Sequence, residues 1–280
     1  MIIDRKLSYS RENGTREPRT KVVVNNNNNN NLDLGENTSV THSYCAQYEK
    51  KDGVLSSKIV CIISGGEHTE KEFFKELIIS NKHNYVNSRS VIVEFVSKKG
   101  QGLHPFQMRE KWSYFKKSGV IELDNNRSVK IREIDSVYLV SDVDEFYDQI
   151  LKERDKTIGA SWIISNPCFE MWLYYCFRDQ PEKDLCQLLE LPVSKRSREL
   201  KHLCNDLHPG GMRGRLAFEK MRQGIENSAK HYQEDDNSVP KPLSTQMHIL
   251  ATYLINIMDN NAKEYDLIIK SKRAFRKQFC

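Results

Sequence analysis

The chain has no apolar run near the length needed to cross a bilayer, and its N-terminal MIIDRKLSYSRENGTREP lacks the apolar segment of a secretory signal. A soluble, cytoplasmic protein that makes no membrane contact is the expectation. Paired cysteine spacing is missing too: the seven cysteines, at 45, 61, 168, 176, 186, 204 and 280, are scattered, odd in number and never Cys-x-x-Cys. That excludes a disulfide framework and the usual zinc patterns, and leaves reduced thiols that mostly fill the core. No Walker lysine follows Gly65-Gly66, and the eight histidines contain no His-Glu-x-x-His. Nucleotide-loop and zinc-hydrolase chemistry are thereby set aside, and Ser141 beside Asp142 does not make a hydrolase triad.

Charge of one sign is only mildly in excess, at +5, which is compatible with a polyanionic partner without requiring one. Part of that excess gathers in Lys270–Lys277 (KSKRAFRK), which suits either a phosphate-gripping tail or a solvated helix face. Apolar periodicity is absent from residues 1–57, where seven consecutive asparagines occupy 25–31. Such a stretch cannot build a core, and a disordered or loosely ordered extension is expected.

From residue 58 the pattern changes. Lys58–Ser64 (KIVCIIS) is a continuous apolar run of the kind found in strands buried on both faces. Gly65-Gly66 breaks it, and Thr69-x-x-Glu72 reads as a capping box opening a helix with Phe73, Phe74, Leu77 and Ile78 on one face. Further strands are expected at Val91–Val96, Val137–Ser141 and Ser161–Ser165, with helices at Pro105–Lys117, after Asp142, and from Pro167 with Asn166 as its N-cap. Alternating strands and helices imply a mainly parallel sheet covered on both faces, an α/β core over 58–180. Beyond 180 the pattern is helical, at 184–191, 214–233 and 244–259, and defines a C-terminal subdomain over 181–280. His208–Arg215 (HPGGMRGR) reads as an inter-helix loop or a phosphate clamp.

Chemistry in parallel sheets gathers at the carboxyl ends of the strands. Asp142 and Asp144 stand directly after one strand, and two like charges in a tight turn call for a cation, with Mg²⁺ or Mn²⁺ the natural choice. The same residues would equally suit a helix start, Asp142 as cap and Asp144 and Glu145 in the first turn. Glu67 and Glu70, after the first strand, and Glu170, near the start of the helix after Pro167, are candidates to complete the site, each with the same helix-dipole alternative.

The ordered set IISGGEHTEKEFF (62–74), VYLVSDVDEF (137–146), SNPCFEMWLYYCF (165–177) and PLSTQMHILATYL (242–254) resembles the RloB family. The resemblance implies a Toprim-like fold, an Mg²⁺- or Mn²⁺-dependent nuclease acting on RNA, possibly tRNA, or DNA in abortive-infection antiphage defence, and an RloA-like ATPase as partner. It further implies a glutamate after the first strand and an Asp-x-Asp after a later one. Asp142 and Asp144 match the second element. The first departs: RloB-like sequences usually read Glu-Gly-Glu where this chain reads Gly65-Gly66-Glu67. A glycine supplies no carboxylate for metal placement or proton transfer, so Glu67 or Glu70 would have to substitute, or the protein would bind nucleic acid without cutting it.

Overall fold

The structure, a computed structural model, describes residues 58–66, 68–79, 91–96, 102–123, 127–144 and 146–279. The expected extension over 1–57 and the candidate Glu67 lie outside the described residues, as do the side chains of Leu77 and Ile78.

The first apolar run forms β1 (Lys58–Ser64), buried from Ile59 onward. α1 (Thr69–Ile79) follows, then β2 (Val91–Val96), which pairs parallel to β1. α2 (Pro105–Ser118) starts on a proline, whose fixed φ suits a first turn, and ends at Gly119 in the left-handed region, φ 70°. An antiparallel hairpin of β3 (Val120–Leu123) and β4 (Arg127–Lys130) comes next, unanticipated from the sequence because each strand is only four residues long. β5 (Ser136–Asp142), α3 (Tyr147–Arg154), β6 (Ser161–Asn166) and α4 (Glu170–Phe177) continue the strand–helix alternation. The rest comprises α5 (Pro181–Asp184), α6 (Cys186–Glu190), α7 (Val193–Asp206), α8 (Gly214–Glu219), α9 (Met221–Lys230), β7 (Ser244–Thr245) and α10 (Met247–Phe279).

The main sheet runs β2-β1-β5-β6-β7, parallel except for the last pair. The protein is therefore α/β with a mixed, mostly parallel sheet. Residues 244–245, expected to open a helix, instead pair with β6, because Thr245 lies opposite Ser165 and the two hydroxyls share a 2.7 Å hydrogen bond. Side chains on β1 alternate between the two faces, as the pleat requires. Val60 and Ile62 join Phe73 and Phe74 of α1, Trp172 of α4 and Leu250 of α10, while Ile59, Cys61 and Ile63 join Met108, Trp112 and Phe115 of α2.

The first of these clusters runs from Val60 to Ile255, so the C-terminal helices close the same core that α1 and α4 build. Two glycines permit that closure. A Cβ on Gly214 would sit 2.8 Å from the Phe73 nitrogen, and one on Gly224 would sit 2.6 Å from Cys176 Sγ and 2.9 Å from the Trp172 ring. α8 thus lies directly on the backbone of α1, and α9 on α4. No helix among the described residues is long and apolar enough to cross a membrane.

Three cap assignments are corrected. Thr69 is the first residue of α1, and its hydroxyl donates to Glu170 Oε1 at 3.2 Å. Asn166 closes β6 opposite Ser244, its side-chain amide donates to Pro240 O at 2.7 Å, and the following helix begins only at Glu170. α3 begins at Tyr147 with Phe146 before it, so Asp142 ends a strand and does not cap a helix. The His208–Arg215 segment is a loop into α8, with Arg213 Nε donating to Gly210 O and Arg215 4.0 Å from Glu76.

Candidate active site

β1 and β5 are parallel neighbours, so their carboxyl ends lie side by side: Ser64 is in register with Val140, and the Gly65 N–H donates to Val140 O at 2.8 Å. From β1 the chain crosses to β2 on one side, and later lays down β5 and β6 on the other. Where strand order reverses in this way, the flanking connections diverge and a crevice opens. A cleft of about 640 Å³ lies there, lined by Glu70, Asp142, Asp144 and Glu170 together with Gly65, Gly66, His104, Gln107, Phe146 and Lys201. Four of the five sequence candidates thus meet in one cleft, and the fifth, Glu67, lies outside the described residues.

Each carboxylate is held by identifiable local structure. Asp142 is the last residue of β5. Two residues on, Asp144 has φ 36°, a left-handed backbone that aspartate tolerates better than most residues. Its N–H donates to Pro167 O at 3.0 Å, and the Val143 N–H donates to Ser165 O at 2.9 Å, which ties the turn to the end of β6. Ser197 of α7 donates its hydroxyl proton to Asp144 Oδ1. Glu170 opens α4 and accepts the Thr69 hydroxyl. Glu70, 6% exposed, folds back over Gly66, where an added Cβ would fall 1.9 Å from each of its carboxylate atoms. Gly66 is the space in which the Glu70 carboxylate sits.

Gly65 departs from the pattern that the resemblance implies, and its surroundings match the departure. Its carbonyl accepts the Leu103 N–H at 2.8 Å, and a Cβ here would lie 3.1 Å from Leu103 O. The 102–103 backbone occupies room that a longer side chain at position 65 would need. Glu70 reaches the cleft from the first turn of α1 instead.

Crowding four acids raises the cost of ionising them together. Burial, then the Glu70 and Glu170 charges, push Asp142 well above the usual carboxylate range. Burial and then Glu170 push Glu70 up to about 7, with Lys201 pulling the other way. Lys201 is the only Lys or Arg among the described residues lining the cleft. Burial would lower its ammonium, but Glu170, Cys168, Asp142 and Asp144 outweigh that and raise it, so it stays charged. His104 and Phe146, also in the cleft lining, meet edge to face at 4.9 Å between ring centres.

The donor set is all oxygen, which suits a hard cation such as Mg²⁺ or Mn²⁺, and the raised carboxylates are what cation binding would relieve. Among the described residues, however, no group of three or more His, Cys, Asp or Glu is arranged to hold a metal ion. Mg²⁺ commonly binds through one or two carboxylates with waters and substrate phosphates, so the donor chemistry fits it without a complete protein cage.

Lys201 and Ser197 were missed from the sequence because the segment between 191 and 214 gave no helix. The signal was present but diluted: Leu200, Leu203, Cys204 and Leu207 have helical spacing among six charged residues in 193–206 (Lys195, Arg196, Arg198, Glu199, Lys201 and Asp206).

A family model described as RloB-like protein matches residues 60–254, which covers every described element from β1 into α10. No curated protein and no solved structure matches the chain. The match spans well over half of the sequence and includes all four cleft carboxylates, and on that basis the chain belongs to the RloB-like protein family.

Proposed function

We propose that the protein is a Toprim-like, Mg²⁺- or Mn²⁺-dependent nuclease that hydrolyses phosphodiester bonds in RNA or DNA as an abortive-infection antiphage effector. The observation that carries the reading is the convergence of Glu70, Asp142, Asp144 and Glu170 on one cleft at the β1/β5 edge, with the pKa values of Glu70 and Asp142 driven up by burial and by their neighbours. Such a site is poised for a divalent ion, which when bound supplies charge neutralisation at the phosphoryl group. Asp142 and Asp144 are its holders, and Glu70 takes the part that Gly65 cannot. Without metal Glu70 is pushed up to about 7, and a bound cation would favour its ionised form, the form that accepts a proton. The Lys201 ammonium faces the developing charge on the phosphate.

Purified protein incubated with Mg²⁺ or Mn²⁺ and mixed nucleic acids is expected to cut, with activity lost in Asp142→Ala and Asp144→Ala. Unchanged cleavage in both variants would remove the site from the mechanism.

Gly65 favours a second reading, in which a weakened or inactive core binds nucleic acid and regulates an RloA-like ATPase. Recovery of nucleic acid from cells expressing the protein with and without that ATPase separates the two. Cleavage that depends on the partner indicates a gated effector, and none in either state indicates the binding role.

A further inference from the structure

A cleft lined by four carboxylates repels a polyanion unless something beside it holds the chain. α7 has the required charge. Its inner side is fixed by buried Ser197, Leu200 and Cys204. At about 100° per residue, Lys195, Arg198 and Lys201 then fall within an arc of about 120° that runs from the outer side at Lys195 round to the cleft side at Lys201, each about 4.5 Å further along the axis. His202 lies within the same arc, while the helix's two acids, Glu199 and Asp206, border it about 40° and about 20° beyond Lys195. All four are exposed, and Lys201 also lines the cleft. Lys195, Arg198 and His202 have no ion-pair partner among the described residues and Lys201 faces only the cleft acids, whereas Lys156, Arg222 and Lys230 each have a carboxylate within 3.4 Å.

We infer that the outer face of α7 is a track for a nucleic-acid backbone, with Lys195 and Arg198 holding flanking phosphates and Lys201 receiving the phosphate that enters the cleft. The assignment rests on the nucleic-acid half of the proposed function and is independent of whether the chain cuts. It places a basic contact on α7, in addition to the C-terminal tail that the sequence offers. Of the tail's basic side chains only Lys270 and Arg273 are described, both exposed on α10, and neither lines the cleft.

The test is equilibrium binding of fluorescein-labelled single strands of about 20 nucleotides, one RNA and one DNA, measured by anisotropy in EDTA across a salt series. The Lys195→Ala/Arg198→Ala variant is expected to bind at least tenfold more weakly, with a log K against log salt slope shallower by about 1.4, the loss of two single-strand phosphate contacts. A control removing two exposed lysines at the far end of α2 and on β4, Lys117→Ala/Lys130→Ala, is expected to stay within twofold of the unaltered protein. Circular dichroism confirms that both variants fold.

Equal weakening in both variants, wild-type affinity and slope in the α7 variant, or no binding by the unaltered protein would each overturn the assignment. Preference for RNA or DNA identifies which backbone the track takes. Binding lost in the α7 variant alongside no cleavage by the unaltered protein leaves the track standing and removes the nuclease. Cleavage by the α7 variant with unchanged KM removes the track and leaves the nuclease.

Discussion

Raising the pH of a metal-free solution is expected to destabilise this protein, and Glu70 sets the scale. Burial and the Glu170 charge lift its carboxyl from the usual 4.5 to about 7. Between those values the folded protein keeps a proton that the unfolded chain releases, so the contribution is fully present below 4.5 and is lost as pH rises through about 7. At about 1.4 kcal/mol per pH unit the loss comes to about 3 kcal/mol, a sizeable share of the 5–15 kcal/mol or so typical of a folded domain. Asp142 is pushed the same way, by burial first and Glu70 second, and adds to the slope. Urea unfolding followed by circular dichroism in EDTA, from pH 5.5 to 8, measures the part of the effect above pH 5.5, about 2 kcal/mol. Glu70→Gln, which cannot ionise, is expected to flatten much of the dependence and to be more stable than the unaltered protein at pH 8. Added Mg²⁺ is expected to restore stability to the unaltered protein at pH 8 far more than at pH 5.5, since it competes with the proton for the same carboxylates. A Glu70→Gln profile parallel to that of the unaltered protein would refute the reasoning.

Other substitutions probe the geometry. Gly66→Ala places a methyl where the Glu70 carboxylate sits, and because the obstacle is the end of a flexible side chain, cleavage is expected to fall at least tenfold while Tm changes by only a few degrees. Gly65→Glu, which supplies the carboxylate that the resemblance implies here, is expected to gain no activity and to lower Tm, because the new side chain meets the Leu103 carbonyl; increased cleavage would contradict this. Gly214→Ala collides with backbone of α1, at Phe73 N and Thr69 O, and is expected to cost about 1–3 kcal/mol in urea unfolding.

Much of the α/β core was legible because parallel strands buried on both faces leave unbroken apolar runs, as in Lys58–Ser64, and because parallel sheets collect chemistry at one edge. That logic assigns Glu67, Glu70, Asp142, Asp144 and Glu170 to one edge, and all of these but Glu67, which lies outside the described residues, line the cleft. The aspartates' alternative role as a helix cap was removed only by the structure, since sequence does not reveal that α3 waits until Tyr147. α7 stayed hidden for a different reason. It buries a narrow stripe, and its exposed basic face, the part that matters at the cleft, masks the periodicity that would announce a helix. Asn166-Pro167 misled because the pair suits a helix start, whereas here Asn166 continues a strand whose partner, Ser244, lies far along the chain.

The most direct test of the four-carboxylate cleft as a divalent-metal site is a Mn²⁺ titration followed by electron paramagnetic resonance at pH 8, in the presence of a cleavage-resistant phosphorothioate oligonucleotide. One tightly bound Mn²⁺ per chain is predicted for the unaltered protein, with that ion lost in Asp142→Asn. The same stoichiometry and affinity in both proteins would contradict the account.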